Sequence, residues 1–502
     1  MLFNSSQFLI FLPVVLFFYY ITPPQKTLRQ AWLLICSYYF YMCWNAAYAL
    51  LLLFSTIITY LCGLSIEYLK TIRLAEKRKH TLMTLCLIFS LFSNLSILFF
   101  FKYFDFSISL INNILNIFNI QITNPSFDIM LPVGISFYIF QSLGYTIDVY
   151  RNEIYAERNF ITYALFVSFF PQLVAGPIER SKNLLKQLNY SVKFQFDNMR
   201  DGLFLMLWGY FQKVVIADRI AIFVDTIYSP ENFTNYSGTH FIVATILFAF
   251  QILCDFSGYS TIAMGTARTL GITLMENFSS PYYAQSTSEF WRRWHISLST
   301  WFRDYLYIPL GGSRKGRIRK YWNLIITFSI SGLWHGANWH FVIWGIMNGF
   351  YQVIGDILKP IRQFFIKVFG LNEHSLSHKL LKVLITFICI DFSWIFFRAN
   401  NFSQAVSIIK MILHKRTPWI LFDGSLYNYG LSQKNFFVMI YGILILIIAD
   451  GLKYKGIIIR DIIQKQDWWF QILIIVFSIW IILLLGIWGN NYDASSFIYF
   501  QF

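Results

Sequence analysis

Long apolar runs separated by short polar segments repeat along almost the whole chain. Several of them reach the roughly 18–20 apolar residues that a helix needs to cross a lipid bilayer. The runs begin near Phe8, Trp32, Ala46, Leu82, Ile129, Ile161, Gly202, Phe241, Trp322, Phe341, Leu380, Phe436 and Trp468. This pattern predicts an all-α polytopic integral membrane protein, with roughly 11–13 membrane-embedded helices in one transmembrane domain at residues 1–488.

Two of the apolar runs are interrupted. The run Trp322–Leu333 is short and ends beside Ser331-Gly332, a pair that loosens helices, and the run Ile161–Ala175 contains Pro171. Broken or re-entrant segments inside a membrane are tolerated where they line a protein cavity or a water-filled path. We therefore expect short re-entrant helices here, close to a functional site.

The composition is that of a membrane protein, and it affects how the net positive charge is interpreted. Hydrophobic residues make up 57% of the chain and charged residues 13%, where a soluble domain carries roughly 25% charged residues. The net charge of +15 is concentrated in short clusters between apolar runs, such as Lys70–Lys79 and Arg314–Lys320. Such clusters are typical of cytoplasmic loops. The lipid bilayer is thus the expected partner, and nucleic acid is not.

The basic clusters also predict an orientation. With Lys70–Lys79 in the cytoplasm, the three preceding spans place the N-terminus outside, and alternation places Arg314–Lys320 and Lys453–Lys465 inside. Residues 489–502 then form an extracytoplasmic tail, so both termini are expected outside. The basic triplet His414-Lys415-Arg416 falls outside in this scheme and is an exception to the rule.

Metal binding is not indicated by the cysteines. All six lie inside or beside apolar segments, and no CxxC pair occurs. Neither a zinc site nor a disulfide framework is expected from this pattern. We interpret the cysteines as small buried hydrophobic residues and predict no metal.

The densest polar segment runs from Ser286 to Lys320. At helical spacing His295 shares a face with tryptophans, and Arg292 and Arg303 lie on the opposite face. An amphipathic helix of this kind lies on the membrane surface or lines a cavity. An ionisable group within a membrane protein indicates function, and Glu289 and Arg292 are near enough to His295 to position a ligand.

A second histidine lies in an apolar, tryptophan-rich segment. His335 stands between Gly332 and Gly336, and Asn338 follows it as a candidate substrate-binding residue. Glycines allow another backbone or a ligand to approach closely. A buried neutral imidazole can accept a proton from a hydroxyl group, which is the role of a general base. The alternative is a histidine that is hydrogen-bonded between helices.

These two segments resemble the paired histidine motifs of the membrane-bound O-acyltransferases. The motifs are FWRRWHISLSTWFRDYLYIPLGG and SGLWHGANWHFVIWGIMNG, and DFSGYSTIAMG, LPVGISFYIFQSLGY and FPQLVAGPIER support them. The resemblance is to the branch that contains alginate O-acetyltransferase, peptidoglycan O-acetyltransferase and the D-alanyl transferase of teichoic acid. It covers about residues 100 to 400.

The resemblance implies a fold, a reaction and partners. His335 matches the catalytic histidine and His295 the second histidine of the family, within a funnel-shaped helical fold in the bacterial inner membrane. The implied reaction passes an acyl group, expected to be acetyl, from a cytoplasmic thioester to an extracytoplasmic polysaccharide such as an alginate-like glycan or peptidoglycan. The donor is acetyl-CoA or an acyl carrier protein, no bound cofactor is required, and an extracytoplasmic SGNH-type O-acetyltransferase is the implied partner.

Further site candidates come from charge and from the end of the chain. Asp255, Arg292 and Arg303 are charges within or beside membrane helices and are candidate substrate-binding residues. The tail ends in an F-x-Y-x-x-F pattern over residues 497–502. This pattern resembles the C-terminal motif of a small partner protein in teichoic-acid D-alanylation, so Tyr499 is a candidate acyl carrier. The alternative is an interfacial aromatic anchor.

Two other functions fit parts of the sequence. One is D-alanyl transfer to teichoic acid, which the same resemblance allows. The other is a transporter or channel, because Asp148, Lys213, Asp255 and Asp391 are intramembrane charges that could line an ion path. Against transport, no inverted repeat of broken helices is visible in the sequence.

Overall fold

The computed structural model describes residues 1–23, 25–119, 132–190, 192–231 and 233–488. In these ranges the chain forms helices joined by loops, which confirms the predicted all-α polytopic fold. The tail at 489–502, including Tyr499, lies outside the described residues.

The chain divides into two compact units. Unit 1 comprises Met1–Met206 and Ala263–Met275, and unit 2 comprises Leu207–Ile262 and Glu276–Phe502. Unit 1 contains α1 Ser6–Ile21, α2 Lys26–Met42, α3 Tyr48–Thr71, α4 Glu76–Leu98, α5 Phe104–Ile117, α6 Ile135–Tyr150, α7 Phe160–Ser168, α8 Phe170–Leu173 and α9 Ser181–Leu188. Two of the unit boundaries fall within α10 Phe196–Tyr210 and α12 Gly238–Thr269, and the third lies between Met275 and Glu276.

Unit 2 carries the remaining helices and two π-helical segments, Phe211–Ala217 and Arg303–Tyr307. Its α-helices are α11 Asp218–Tyr228, α13 Thr287–Arg293, α14 Ile296–Phe302, α15 Arg317–His335, α16 Trp339–Ile357, α17 Lys359–Val368, α18 Leu376–Arg398, α19 Phe402–His414, α20 Gln433–Tyr454, α21 Ile459–Gln464 and α22 Trp468–Leu485.

Six helical stretches among the described residues are long and apolar enough to cross a membrane, and α16 with α17 makes a seventh if this pair, bent by 46°, counts as one span. The six are α3, the 42-residue stretch Glu76–Ile117, α12, α18, α20 and α22. Three shorter apolar helices, Ser6–Ile21, Phe160–Leu173 and Phe402–His414, accompany them. Several candidate spans and short apolar helices thus occur together in the described part of the chain.

The two interrupted runs behave differently. The Pro171 run is broken as predicted, since α7 ends at Ser168 and α8 begins at Phe170. The other run is longer than its apolar residues indicated, because the polar residues from Arg317 onward extend α15 to 19 residues. The sequence pattern underestimated this helix because basic residues at the start of a helix can lie at the polar boundary of a membrane.

Helices α15 and α16 form a tight antiparallel hairpin. At its open end Lys320 pairs with Asp356 at 2.8 Å. Along its length Gly332 lies against the carbonyl oxygen of Phe341 so closely that any Cβ there would overlap it. Only glycine allows two helix backbones to approach in this way, which confirms the close approach predicted at Gly332. The closed end of the hairpin carries His335.

Candidate functional site

The helix predicted through the Ser286–Lys320 segment is not continuous. It breaks between α13 and α14 at His295, whose backbone is left-handed, with φ 43° and ψ 55°. Helical periodicity missed this break because the aromatic spacing continues across it. A left-handed conformation costs a non-glycine residue roughly 1–2 kcal/mol, so tertiary contacts must hold it, and such strain in a protein is concentrated at functional sites.

The break brings the two predicted histidines together. His295 is 1% exposed and His335, the last residue of α15, is 4% exposed. Their ring centroids lie 6.5 Å apart with the ring planes at 62°. Residues far apart in the sequence, one on a strained turn and the other at the end of a hairpin, therefore form one buried imidazole pair in unit 2.

Aromatic rings enclose this pair. Measured between ring centroids, Phe256 lies 4.6 Å from His295. The Trp334 ring lies 6.1 Å from that of His295 and 4.9 Å from that of His335. Trp344 and Phe397 complete the surroundings of His335 at 5.1 and 5.4 Å. Such an enclosure excludes water and strengthens electrostatic interactions inside it.

The spacing of the pair has a chemical consequence. At 6.5 Å between centroids, two ring nitrogens cannot reach the roughly 3 Å of a direct hydrogen bond. An oxygen atom of a substrate placed between the rings could contact a nitrogen of each. Burial lowers the pKa of His295 to about 3, so this imidazole is neutral at neutral pH.

Neighbouring polar groups that the sequence did not single out support the aromatic wall. Trp291 donates from its indole nitrogen to Asn348 at 3.3 Å, and Asn348 donates to the carbonyl oxygen of Trp344 at 2.8 Å. The same amide lies 3.4 Å from the hydroxyl of Ser393. Asn348 is fully buried. A polar residue within the apolar run of α16 was the one signal that could have identified it.

Asp255 lies in a buried group of three charges. Lys213 contacts Asp255 at 2.5 Å and Asp218 at 2.8 Å, and all three side chains are at most 4% exposed. A buried carboxylate needs such a partner because desolvation of an unpaired charge is costly. The residue next to Asp255 is Phe256, which contacts His295. The geometry thus connects Asp255 to the histidine pair through its neighbour.

The two candidate arginines lie at the surface of the segment that carries His295. Arg292 is exposed, and its guanidinium nitrogen lies 3.3 Å from the carbonyl oxygen of Ser288. Arg303 is 60% exposed and pairs with Asp304 at 2.8 Å. Both guanidinium groups are therefore accessible at the protein surface.

Glu289 and Asn338 organise backbone near the histidines. The Glu289 carboxylate binds Arg293 at 2.9 Å and accepts from the backbone N–H of Gln285, also at 2.9 Å. Asn338 is the residue before α16, and its carbonyl oxygen accepts from the backbone N–H of Phe341 at 3.2 Å. Both residues therefore fix turns beside the site.

His340, the third histidine of this region, connects two helices of unit 2. The imidazole of His340 contacts the carbonyl oxygen of Phe396 at 2.9 Å, a hydrogen bond between α16 and α18. Across the part of the chain that the structure describes, no group of three or more His, Cys, Asp or Glu side chains could hold a metal ion.

Comparisons with known proteins identify the family to which the chain is similar. The model of the membrane-bound O-acyltransferase family matches residues 95–373, which include both histidines. The probable alginate O-acetylase of Pseudomonas aeruginosa is 39% identical over 409 residues, which cover 81% of this chain and 73% of that protein. The peptidoglycan O-acetyltransferase of Helicobacter pylori is 36% identical over 82% of this chain and 79% of that protein. The teichoic acid D-alanyltransferase of Streptococcus thermophilus is 29% identical over 53% and 68%.

The buried charge group yields a prediction for Asp255. In Asp255→Asn, Lys213 loses one of its two carboxylates and retains Asp218, so the cost in folding free energy should be below the roughly 3–5 kcal/mol of leaving a buried charge without any partner. We expect a marked fall in thermal stability of the purified protein, with no change in KM of the folded fraction. Asp225→Asn is the matched control, because that carboxylate is 51% exposed where it pairs with Arg398. Wild-type stability with a raised KM would instead indicate direct substrate binding by Asp255.

Proposed function

The chain belongs to the membrane-bound O-acyltransferase family and is a membrane acyltransferase, and on this premise we propose that it transfers acetyl groups from a thioester donor to hydroxyl groups of a cell-envelope polysaccharide. The observation that carries the proposal is the buried pair of His295 and His335 inside its aromatic enclosure. The pair places a neutral imidazole in an enclosed space that excludes water. Transfer of an acyl group without hydrolysis of the thioester requires such a space.

The choice of acetyl over D-alanyl rests on the relatives. Those named for O-acetylation of alginate or peptidoglycan are 36–39% identical to this chain, and they match 81–82% of it. The D-alanyltransferase of Streptococcus thermophilus is 29% identical and matches 53%. We therefore place an alginate-like glycan or peptidoglycan first as acceptor, and D-alanyl transfer to teichoic acid second.

In the proposed reaction His335 is the general base. A ring nitrogen of His335 takes the proton of the attacking hydroxyl as the oxygen adds to the thioester carbonyl carbon. The carbon–sulfur bond then breaks, the new ester forms, and the thiolate leaves with the proton that His335 had accepted. His295, held neutral by burial, orients the hydroxyl or the carbonyl through a hydrogen bond.

The remaining candidates are given supporting roles. Arg292 and Arg303 are exposed cations and are proposed to hold an anionic part of acetyl-CoA or of an acyl carrier thioester. Glu289 and Asn338 are proposed to set the substrate's position through the turns they fix. Asp255 is proposed to act less directly, by holding the helix segment whose Phe256 contacts His295. No metal takes part in this proposal.

The cellular arrangement is also proposed. We place the protein in the bacterial inner membrane with both termini outside, on the basis of the basic clusters Lys70–Lys79 and Arg314–Lys320. The donor is then cytoplasmic and the polysaccharide extracytoplasmic. An SGNH-type transferase outside the membrane is the proposed partner that completes delivery to the glycan.

A covalent relay would connect the two sides. We propose that the hydroxyl of Tyr499 accepts the acyl group before the partner transferase does. A phenol has a pKa near 10, so its ester is more activated than a sugar ester, and splitting one transfer into two easier steps is the general advantage of covalent catalysis. The neighbouring Phe497, Phe500 and Phe502 would dock the tail.

The first test removes the base. His335→Ala should lower acetyl transfer roughly 10²–10⁴-fold, the range for loss of general-base catalysis. Transfer is measured with purified protein and acetyl-CoA labelled in the acetyl group, and thermal stability is recorded alongside. His374→Ala, at an exposed histidine of the same unit, is the control and should keep full activity. Near wild-type transfer by His335→Ala would remove this residue from the mechanism.

The second test removes only the carrier hydroxyl. Tyr499→Phe retains the aromatic docking surface, so assembly should be unchanged, while acetylation of the glycan in cells should stop. Tyr492→Phe changes another tyrosine of the same tail and serves as the control. Mass spectrometry should detect acyl-tyrosine on the wild-type tail when the partner is absent. Normal glycan acetylation in the Tyr499→Phe strain would contradict the relay and favour an aromatic anchor.

A further inference from the structure

The first backbone N–H groups of α14 are not capped by the side chain of His295. The first backbone N–H groups of a helix have no acceptor within the helix and are usually bonded by the side chain of the residue before it. Here that residue is His295, and its side chain makes no such bond. If the imidazole bonded these N–H groups, it would be drawn away from its position facing His335.

Asn277 supplies the missing acceptors from a different segment of unit 2. Its carbonyl oxygen accepts from the N–H of Ile296 at 2.9 Å, and its side-chain oxygen accepts from the N–H of Ser297 at 3.2 Å. These are the first two residues of α14. Asn277 is 1% exposed, and its amide nitrogen donates to the hydroxyl of Ser260 at 3.1 Å. One residue thus caps the helix with both its backbone and its side chain.

The chain on the other side of His295 is held by the same segment. The N–H of Ser279 donates to the carbonyl oxygen of Arg293 at 3.0 Å, and the Arg293 guanidinium donates back to the carbonyl oxygen of Ser279 at 3.1 Å. Residues 277–279 therefore pair with the backbone two residues before the left-handed residue and directly after it. This pairing fixes the turn at His295 from both sides.

We propose that Asn277 is a positioning residue for acyl transfer, because it caps α14 in place of His295 and so leaves the imidazole directed at His335. This inference rests on the proposed role of the histidine pair. Without the Asn277 carboxamide, the N–H of Ser297 loses its acceptor inside the protein. The His295 side chain or its strained backbone would then shift to compensate, and a displacement of about 1 Å at a reacting group can cost roughly a hundredfold in rate.

The test compares the kinetic constants of the variants for acetyl transfer from acetyl-CoA to a glycan acceptor, measured in membranes that also contain the extracytoplasmic partner transferase. Asn277→Ala should lower kcat roughly 10- to 100-fold and leave the KM for acetyl-CoA nearly unchanged. Asn277→Asp keeps an acceptor oxygen at the same place and should recover most of the lost kcat. The matched control is Asn323→Ala, because Asn323 is also fully buried and donates to a backbone carbonyl, that of Gly312 at 2.9 Å. It should lose stability without loss of kcat.

A second measurement separates positioning from general structural support. His295→Asn removes the imidazole and retains a residue type that tolerates the left-handed backbone. If Asn277 acts through His295, then Asn277→Ala should cost no further kcat in the His295→Asn background. If the single Asn277→Ala variant does not fold, Asn277→Ser replaces it in both backgrounds, since its shorter side chain withdraws the acceptor.

The outcomes distinguish this inference from the proposed function. An active wild type in which Asn277→Ala keeps full kcat, or loses the same factor with and without the His295 imidazole, overturns the inference alone. Full activity of His295→Asn, or a wild type that transfers no acetyl group, overturns the proposed function as well. A loss of kcat confined to proteins that retain His295, together with rescue by Asn277→Asp, supports the positioning role.

Discussion

The chain passes through a left-handed residue at His295, and this turn determines where the two buried histidines of unit 2 lie. Without it, α13 would continue as a straight amphipathic helix, and its imidazole would share a face with the tryptophans. With it, the helix direction changes and the imidazole comes within 6.5 Å of His335, measured between ring centroids. The conformation is unfavourable for histidine by itself. It persists because hydrogen bonds from residues 277–279 bind the backbone on both sides.

Two buried polar groups of unit 2 show how the cost of burial is compensated. Lys213 is held by Asp255 and Asp218, and Asn348 joins α13, α16 and α18 through its amide. The histidine pair differs, because burial maintains His295 as the neutral form. A neutral imidazole among aromatic rings can handle a proton without a permanent charge, which suits transfer of an acyl group away from bulk water.

Much of this could be predicted from the sequence. The apolar runs predicted a polytopic helical protein because the thickness of the bilayer sets the length of a membrane-spanning helix. The length of an apolar run can be read directly from the sequence. The two motifs singled out His295 and His335, which the structure brings together as one buried pair, and their roles in acyl transfer stay a prediction. The close approach at Gly332 followed from glycine's missing side chain.

The rest depends on contacts between distant segments, which periodicity does not encode. The break at His295 was missed because the spacing of Trp291, Trp294 and Leu298 continues across it. Lys213 as the partner of Asp255, and Asn277 as the cap of α14, arise only when separate segments pack together. The most direct measurement is a cryo-EM structure with a ketone analogue of acetyl-CoA in which a methylene group replaces the sulfur. The proposed mechanism predicts that the analogue's carbonyl group lies beside the two imidazoles, where a hydroxyl oxygen hydrogen-bonded to His335 would be about 3–3.5 Å from the carbonyl carbon. A carbonyl bound elsewhere, out of reach of both histidines, would contradict it.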